Sequence, residues 1–231
     1  YFESSRHLKL IPKEGVFTTL ALSLAGAVLV AVLVFGAYYL YGRVIDQKPS
    51  RSEIADIRIE PGTELIASTG QFAYILTEKE ITESFELAKK YFDRYDDNLA
   101  QRELNRIKYS NASLAVKDKA ALLSTYIKAP TFSTMKGGFE FHEVQADPLL
   151  YENCYVRWKG RVSNLKLTDT EISFQFLVGY EDNKVLYGIV PVSLDFAAKV
   201  NEDYPLEILG KVVLTPKPFA LKAISIHQLA Q

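Results

Sequence analysis

The residues of this chain that could do acid-base or metal chemistry are few and scattered. His142 stands beside Glu143 in FEFHEVQADP, and an imidazole next to a carboxylate can form a base or a ligand pair. Asp96 with Asp97 and Glu202 with Asp203 are adjacent acidic pairs, but both fall in predicted turns, where carboxylates cap helices more often than they move protons. Cys154 is the only cysteine, which excludes an internal disulfide and a Cys-based zinc site, and three histidines leave little material for a metal centre. His227 alternates with Ser225 opposite Ile224 and Ile226 in the last apolar run, so its ring is expected on the surface. No GxSxG, HExxH, Walker loop or GxGxxG occurs, so neither an enzyme nor a cofactor or metal site is expected. Arg157, Lys159 and Arg161 alternate into a basic stripe that meets either an acidic partner, anionic headgroups or only solvent. Asn111-Ala-Ser113 matches a glycosylation triplet and also suits a helix N-cap.

Residues 16–42 run for 27 positions without a charged side chain. As a helix such a run reaches roughly 40 Å, enough to cross a hydrocarbon core of about 30 Å with tilt. A signal-peptide h-region spans only about 7 to 15 residues, so a retained signal anchor is expected, preceded by a tail at 1–15. Ser23, Ala27 and Ala31 recur every four residues and form a small-residue face where another transmembrane helix can approach, although small residues are common in such spans regardless of contacts. Arg6, Lys9 and Lys13 before the span balance Arg43, Lys48, Arg51 and Arg58 after it, so the flanking charge does not set an orientation. The layout of a short tail and a long folded part predicts an inner-membrane protein with its N-terminus in the cytoplasm and its C-terminal domains exported to the periplasm.

After the span, residues 43–76 are interrupted by Pro49, Pro61, Gly62 and Gly70 and hold no sustained period, which predicts a linker or stalk. Thr77 and Glu80 have capping-box spacing, and Ile81, Phe85, Ala88 and Phe92 then share one helical face. Ala100, Leu104 and Ile107 repeat that pattern, as do Val116, Ala120, Leu123 and Ile127, giving three short helices across 77–129. In FELAKKYFDRYDDNLAQRELNRIKYSNASLAVKDKAALLSTYI the placing of Phe85, Ala88, Tyr95, Ala100, Leu104 and Ile107 resembles a tetratricopeptide repeat, without its Trp or its Leu-Gly pair. That resemblance implies a groove for protein partners, with Tyr91 and Tyr95 as candidate contacts. The alternative is a plain three-helix packing element. Residues 130–152, with Lys136-Gly137-Gly138, read as a hinge.

From 153 to 231 the chain changes character, into five runs of β-branched and aromatic residues separated by LTDTE, YEDNK, a stretch DFAAKVNEDY expected to form a helical turn or two, and TPKP. Val156, Trp158 and Val162 alternate with the basic stripe, so one face is buried and the other wet. Three strands, a short helix and two strands, with Gly160, Gly188 and Gly210 where a small barrel must bend, resemble the OB-fold. OB-folds often bind oligonucleotides or oligosaccharides, and Phe174, Phe176, Tyr180 and Tyr187 could then form a stacking platform. Phe174 and Phe176 share a strand face with Ile172 and Val178, however, and from Tyr151 onward nine basic residues face nine acidic ones. No excess of cations tracks a phosphate backbone, so nucleic acid is not an expected partner.

The class predicted is a single transmembrane helix plus an α+β extramembrane region: a short tetratricopeptide-like helical bundle, then a five-stranded OB-like β-barrel. The function expected is that of a membrane-anchored scaffold or adaptor in a multi-subunit envelope assembly, with self-association as a further option. Anchor and helical segment together are similar in layout to the accessory (collar) membrane proteins of the spirochaete periplasmic flagellar motor. The rival reading is an oligosaccharide or peptidoglycan-binding module on the barrel. The candidate partner-binding residues are Tyr91, Tyr95, Arg157, Lys159, Arg161, Tyr180 and Tyr187.

Overall fold

Thr77 starts the first helix of the folded region as its spacing requires. Its hydroxyl accepts from the Glu80 amide at 3.3 Å while the Glu80 carboxylate accepts from the Thr77 amide at 2.8 Å, satisfying two donors that a helix start leaves without partners. This computed structural model describes residues 51–168 and 170–229, with Val32 and Gly36. The chain divides into two compact units, Tyr1–Pro49 and Ser50–Gln231. In the first only Val32 and Gly36 are described, both helical, and the rest of the expected span at 16–42, with its Ser23, Ala27 and Ala31 face, lies outside the described residues. Among the described residues no helix is long and apolar enough to cross a membrane.

The second unit begins with helices α1 (Glu78–Asp93), α2 (Asp97–Lys108) and α3 (Leu114–Ser124). They share a core in which Ile81, Phe85, Ala88, Phe92, Ala100, Leu104, Ile107, Val116, Ala120 and Leu123 are buried. Each large apolar side chain of this kind contributes about 1.5–3 kcal/mol when removed from water. Residues 51–76, expected to be part of a linker, are packed onto this core. A 3-10 helix at Arg51–Asp56 buries Ile54, and the chain then pairs with the α2–α3 turn, where Ala67 N–H donates to Asn111 O and Ser113 N–H to Leu65 O, both at 2.8 Å. The Asn111 side chain accepts from Leu76 N–H at 2.7 Å and donates to Leu76 O at 3.1 Å, so the amide of the glycosylation triplet is used internally. Isolated apolar residues such as Ile54 and Leu76 carry no period of their own, and only the tertiary core gives them a partner.

The barrel consists of β1 (Tyr155–Leu167), β2 (Ile172–Val178), β3 (Gly188–Leu194), β4 (Leu206–Leu214) and β5 (Phe219–Gln228), closed in the order β1-β2-β3-β5-β4. All neighbours are antiparallel except β3 and β5, which pair in parallel at Val192–Leu221 and Ser193–Lys222. This is the OB topology. Phe174 and Phe176 lie in the barrel core with Ile172 and Val178. Gly160 is required where β1 bends against β2, because a Cβ there would lie 2.1 Å from the Leu177 carbonyl oxygen.

Two expectations about the barrel's ends are corrected. Residues 130–152 are not a free hinge: Phe139, Phe141, Val144 and Tyr151 are buried in the barrel core, and a short helix α4 (Phe141–Ala146) sets the Phe141 ring over Gly188. Trp158 Nε1 donates to Phe139 O at 2.8 Å, and the Phe141 and Trp158 rings meet edge to face. At 195–204 the expected helical turns are bends and turns instead, which pack Phe196, Ala198 and Val200 against the core.

The helices and barrel meet along one face of α2. Asn98, Gln101 and Asn105 are spaced three and four apart, so they line up along the helix. Asn98 exchanges two hydrogen bonds with the Tyr155 backbone, Gln101 Nε2 donates to Asn105 Oδ1 at 2.8 Å, and Asn105 Nδ2 donates to Leu150 O and Glu152 O at 2.9 and 2.7 Å. Tyr74 and Tyr109 complete the seam by donating to Asp147 at 2.8 Å and Glu152 at 2.7 Å.

Candidate functional site

The α1–α2 turn ends its helix in a way that is unusual for its residue. Tyr95 N–H donates to Phe92 O at 3.0 Å and Asp96 N–H to Tyr91 O at 2.9 Å, the two bonds of a Schellman stop, whose left-handed position is normally Gly or Asn. Tyr95 occupies it with φ 58°. The other described non-glycine residues at positive φ are Asn153, Asn164 and Asn183, so Tyr95 is the only one whose side chain is not an Asn amide. A bulky residue in this region costs about 1–2 kcal/mol. The Tyr95 side chain nevertheless stands in solvent, 66 % exposed.

Tyr95 borders a cleft of about 530 Å³ walled by residues 95–98, by Arg51, by the 128–136 loop and by Tyr155 of β1. Arg51 lies over the Tyr95 ring, its Cζ 3.9 Å from the centroid. The same guanidinium donates from one nitrogen to both Asp97 carboxylate oxygens at 2.8 Å and from another to Phe92 O at 2.8 Å. Asp97 also accepts from Lys128 N–H at 3.1 Å, which ties the 128–136 loop to α2. Lys136 Nζ donates to Arg94 O at 2.9 Å and lies 3.9 Å from Asp96. Three cationic residues (Arg51, Lys128, Lys136) and two acidic ones (Asp96, Asp97) thus line the cleft, and Lys128, which is exposed, has no ion-pair partner among the described residues. Ala129, Pro130, Met135 and Tyr155 make the remaining wall largely apolar.

The other sequence candidates are dispersed. Tyr91 is half-buried against the helical core. The basic stripe is tied down at two of its three positions: Arg157 Nε donates to the buried Glu207 at 2.8 Å with its guanidinium over Phe132, and Arg161 donates to Asp203 O at 2.9 Å. Lys159 is exposed and sits opposite Glu207 in the β1–β4 register. Tyr187 is exposed beside Gly179, and Tyr180 is half-buried. Neither lines the second cleft, of about 660 Å³, on the outer face of β1, β2 and β3, which Asn164, Lys166, Ser173, Gln175 and Pro191 border. The aromatic platform is thus not assembled, since Phe174 and Phe176 are buried in the barrel core.

The other titratable candidates of the sequence lie outside the lining of the cleft. Glu143 accepts from Glu140 N–H at 2.8 Å and caps α4, while His142 is exposed. Glu202 accepts from Leu165 N–H at 3.2 Å. Burial pushes the Cys154 thiol far above its ordinary range, so it stays protonated and unreactive, 3.7 Å from Asn98 O. His227 is exposed, as its alternation with Ser225 predicts.

Residues 133–227 match a family described as the Spirochaete C-terminal OB fold, and residues 63–124 match a Domain of unknown function (DUF8514). The first match covers the barrel together with the loop leading into it. No curated protein matches the chain. Similar solved structures include a replication protein A heterotrimer bound to single-stranded DNA, with 14% identity and TM-score 0.27 over 33% of this chain and 58% of that one. The S. pombe Stn1–Ten1 complex shows 11% identity and TM-score 0.25 over 33% and 59%. U. maydis replication protein A bound to single-stranded DNA shows 15% identity and TM-score 0.26 over 42% and 78%. The matched part spans about three fifths of the first two chains, and at these scores the likeness assigns no ligand.

Proposed function

We propose that this chain is a membrane-tethered scaffold of a spirochaete cell envelope, with residues 16–42 as its anchor and the unit from Ser50 exported to the periplasm. Its partners are other envelope proteins in a multi-subunit complex such as the periplasmic flagellar motor, and the helical layer serves, as in tetratricopeptide proteins, to hold them. One observation carries this reading: α2 locks the helices to the barrel through the amides of Asn98 and Asn105, making a single body with the Tyr95 cleft at the junction. Such a body holds partners at fixed geometry and does no chemistry. Isolation of the full chain from gently solubilised membranes tests it. Stable association with other envelope proteins supports the reading, and a partnerless monomer carrying a small ligand overturns it.

A second reading has one observation in its favour. The outer cleft of the barrel is bordered by the amides of Asn164 and Gln175 and the hydroxyl of Ser173, groups suited to sugar hydroxyls. An oligosaccharide or peptidoglycan strand is the ligand it would take, and sedimentation with purified sacculi tests it. Nucleic acid is not proposed, because the nine cations and nine anions from Tyr151 onward cancel.

A further inference from the structure

We propose that the cleft beside Tyr95 takes an extended, acidic and apolar peptide segment of a partner protein, with an apolar side chain against Tyr95 and Met135 and a carboxylate on Lys128. This rests on the scaffold reading and names the partner chemistry of the same site.

Two independent observations converge on it. Tyr95 occupies a left-handed helix stop where glycine would be free of strain, yet its ring is left in solvent. Strain of this kind persists where surrounding structure enforces it and gathers at binding sites. Support for the ring comes from Arg51, whose own charge is consumed by Asp97, so Arg51 holds Tyr95 in place without offering a free cation. The second observation is charge. Lys136 is engaged by Arg94 O and lies near Asp96, which leaves Lys128 as the exposed lining cation with no ion-pair partner among the described residues. An apolar cleft with one surplus positive charge is complementary to an apolar segment carrying a carboxylate, and it rejects a basic segment. Tyrosine also loses little conformational entropy on binding, and it is enriched among residues that dominate interfaces.

The test uses the full chain in detergent micelles and two pools of fluorescein-labelled eight-residue peptides, one built from Leu, Phe, Ser and Glu, the other with Lys in place of every Glu. Fluorescence anisotropy is expected to show the acidic pool binding about tenfold more tightly than the basic pool. Tyr95→Gly is expected to weaken the acidic pool about tenfold without lowering the melting temperature, and Lys128→Glu to erase the preference between pools. Equal binding of the two pools, or full binding by Tyr95→Gly, overturns the proposal. Co-purification from membranes separates it from the reading beneath it. If Tyr95→Gly retains all the partners of the wild type, the cleft assignment fails and the scaffold stands, whereas a wild type without partners removes the scaffold itself.

Discussion

The Asn98 side chain holds the backbone of Tyr155 from both sides: Nδ2 donates to Tyr155 O at 2.8 Å and Oδ1 accepts from Tyr155 N–H at 2.6 Å. An amide is the one short side chain that offers a donor and an acceptor in the arrangement a neighbouring strand would present. A helix residue thereby continues the backbone pairing at the start of β1, and the helical layer becomes part of the barrel.

Asn98→Ala is expected to leave both Tyr155 groups without partners and to cost about 1–3 kcal/mol in urea unfolding with an unchanged m-value. Asn98→Asp keeps the acceptor but turns a carboxylate oxygen toward the Tyr155 carbonyl, so it should not recover the loss. Stability equal to wild type in either variant would mean that the seam does not join the two layers.

Combining Asn98→Ala with Asn105→Ala removes the hydrogen bonds to Tyr155, Leu150 and Glu152. The wild-type unit should unfold in one transition, seen alike by far-UV circular dichroism and by Trp158 fluorescence. The double variant should show two, because Trp158 reports the barrel core while most of the helix signal comes from α1 to α3. Coincident transitions in the double variant would contradict the assignment of the seam to these amides.

Much of this architecture is legible in the sequence, because its signals are local. The Thr77–Glu80 box, the apolar spacing of α1 to α3 and the alternation in β1 and β2 each satisfy a rule that depends on neighbours a few residues away. What the sequence conceals depends on distant partners. Helix α4 has only six residues, too few for a helical period to show, and its Phe141 is placed by Gly188. Gln101 and Asn105 are polar residues in α2, yet both are buried at the seam with the barrel. A stripe of amides without charges, at spacings of three and four, was the available signal. Tyr95 is legible in the sequence as a candidate partner contact, but its left-handed backbone is not.

Gly160 and Gly188 should differ in their tolerance of a methyl group. At Gly160 the added Cβ meets the Leu177 backbone oxygen at 2.1 Å, whereas at Gly188 it meets the far edge of the Phe141 ring at 2.2 Å, which can tilt away. Gly160→Ala is therefore expected at or above the upper end of the 1–3 kcal/mol range typical of overpacking, and Gly188→Ala about 1 kcal/mol. Chemical denaturation of both variants checks the order, and the reverse order would mean that α4 is held more tightly than the strand pair.

Alkaline pH should loosen the seam. Burial, followed by the hydrogen bond to Asp147, raises the Tyr74 phenol well above its ordinary range; burial and the Glu152 hydrogen bond raise Tyr109. The unfolded chain loses these protons from about pH 10 upward while the folded chain keeps them, so the stability they contribute is complete below pH 10 and falls as pH rises through the folded values. Tyr74→Phe should flatten that decline in unfolding titrations across the alkaline range. An unchanged slope would show that other groups set it.

The central claim, that this chain is a scaffold whose helices and barrel act as one body, is tested most directly by the mass and composition of the full chain after gentle extraction from its native membrane. The account predicts a complex containing other envelope proteins, which loses them when Asn98→Ala and Asn105→Ala uncouple the layers. A partnerless monomer with a small molecule bound to the barrel would contradict it.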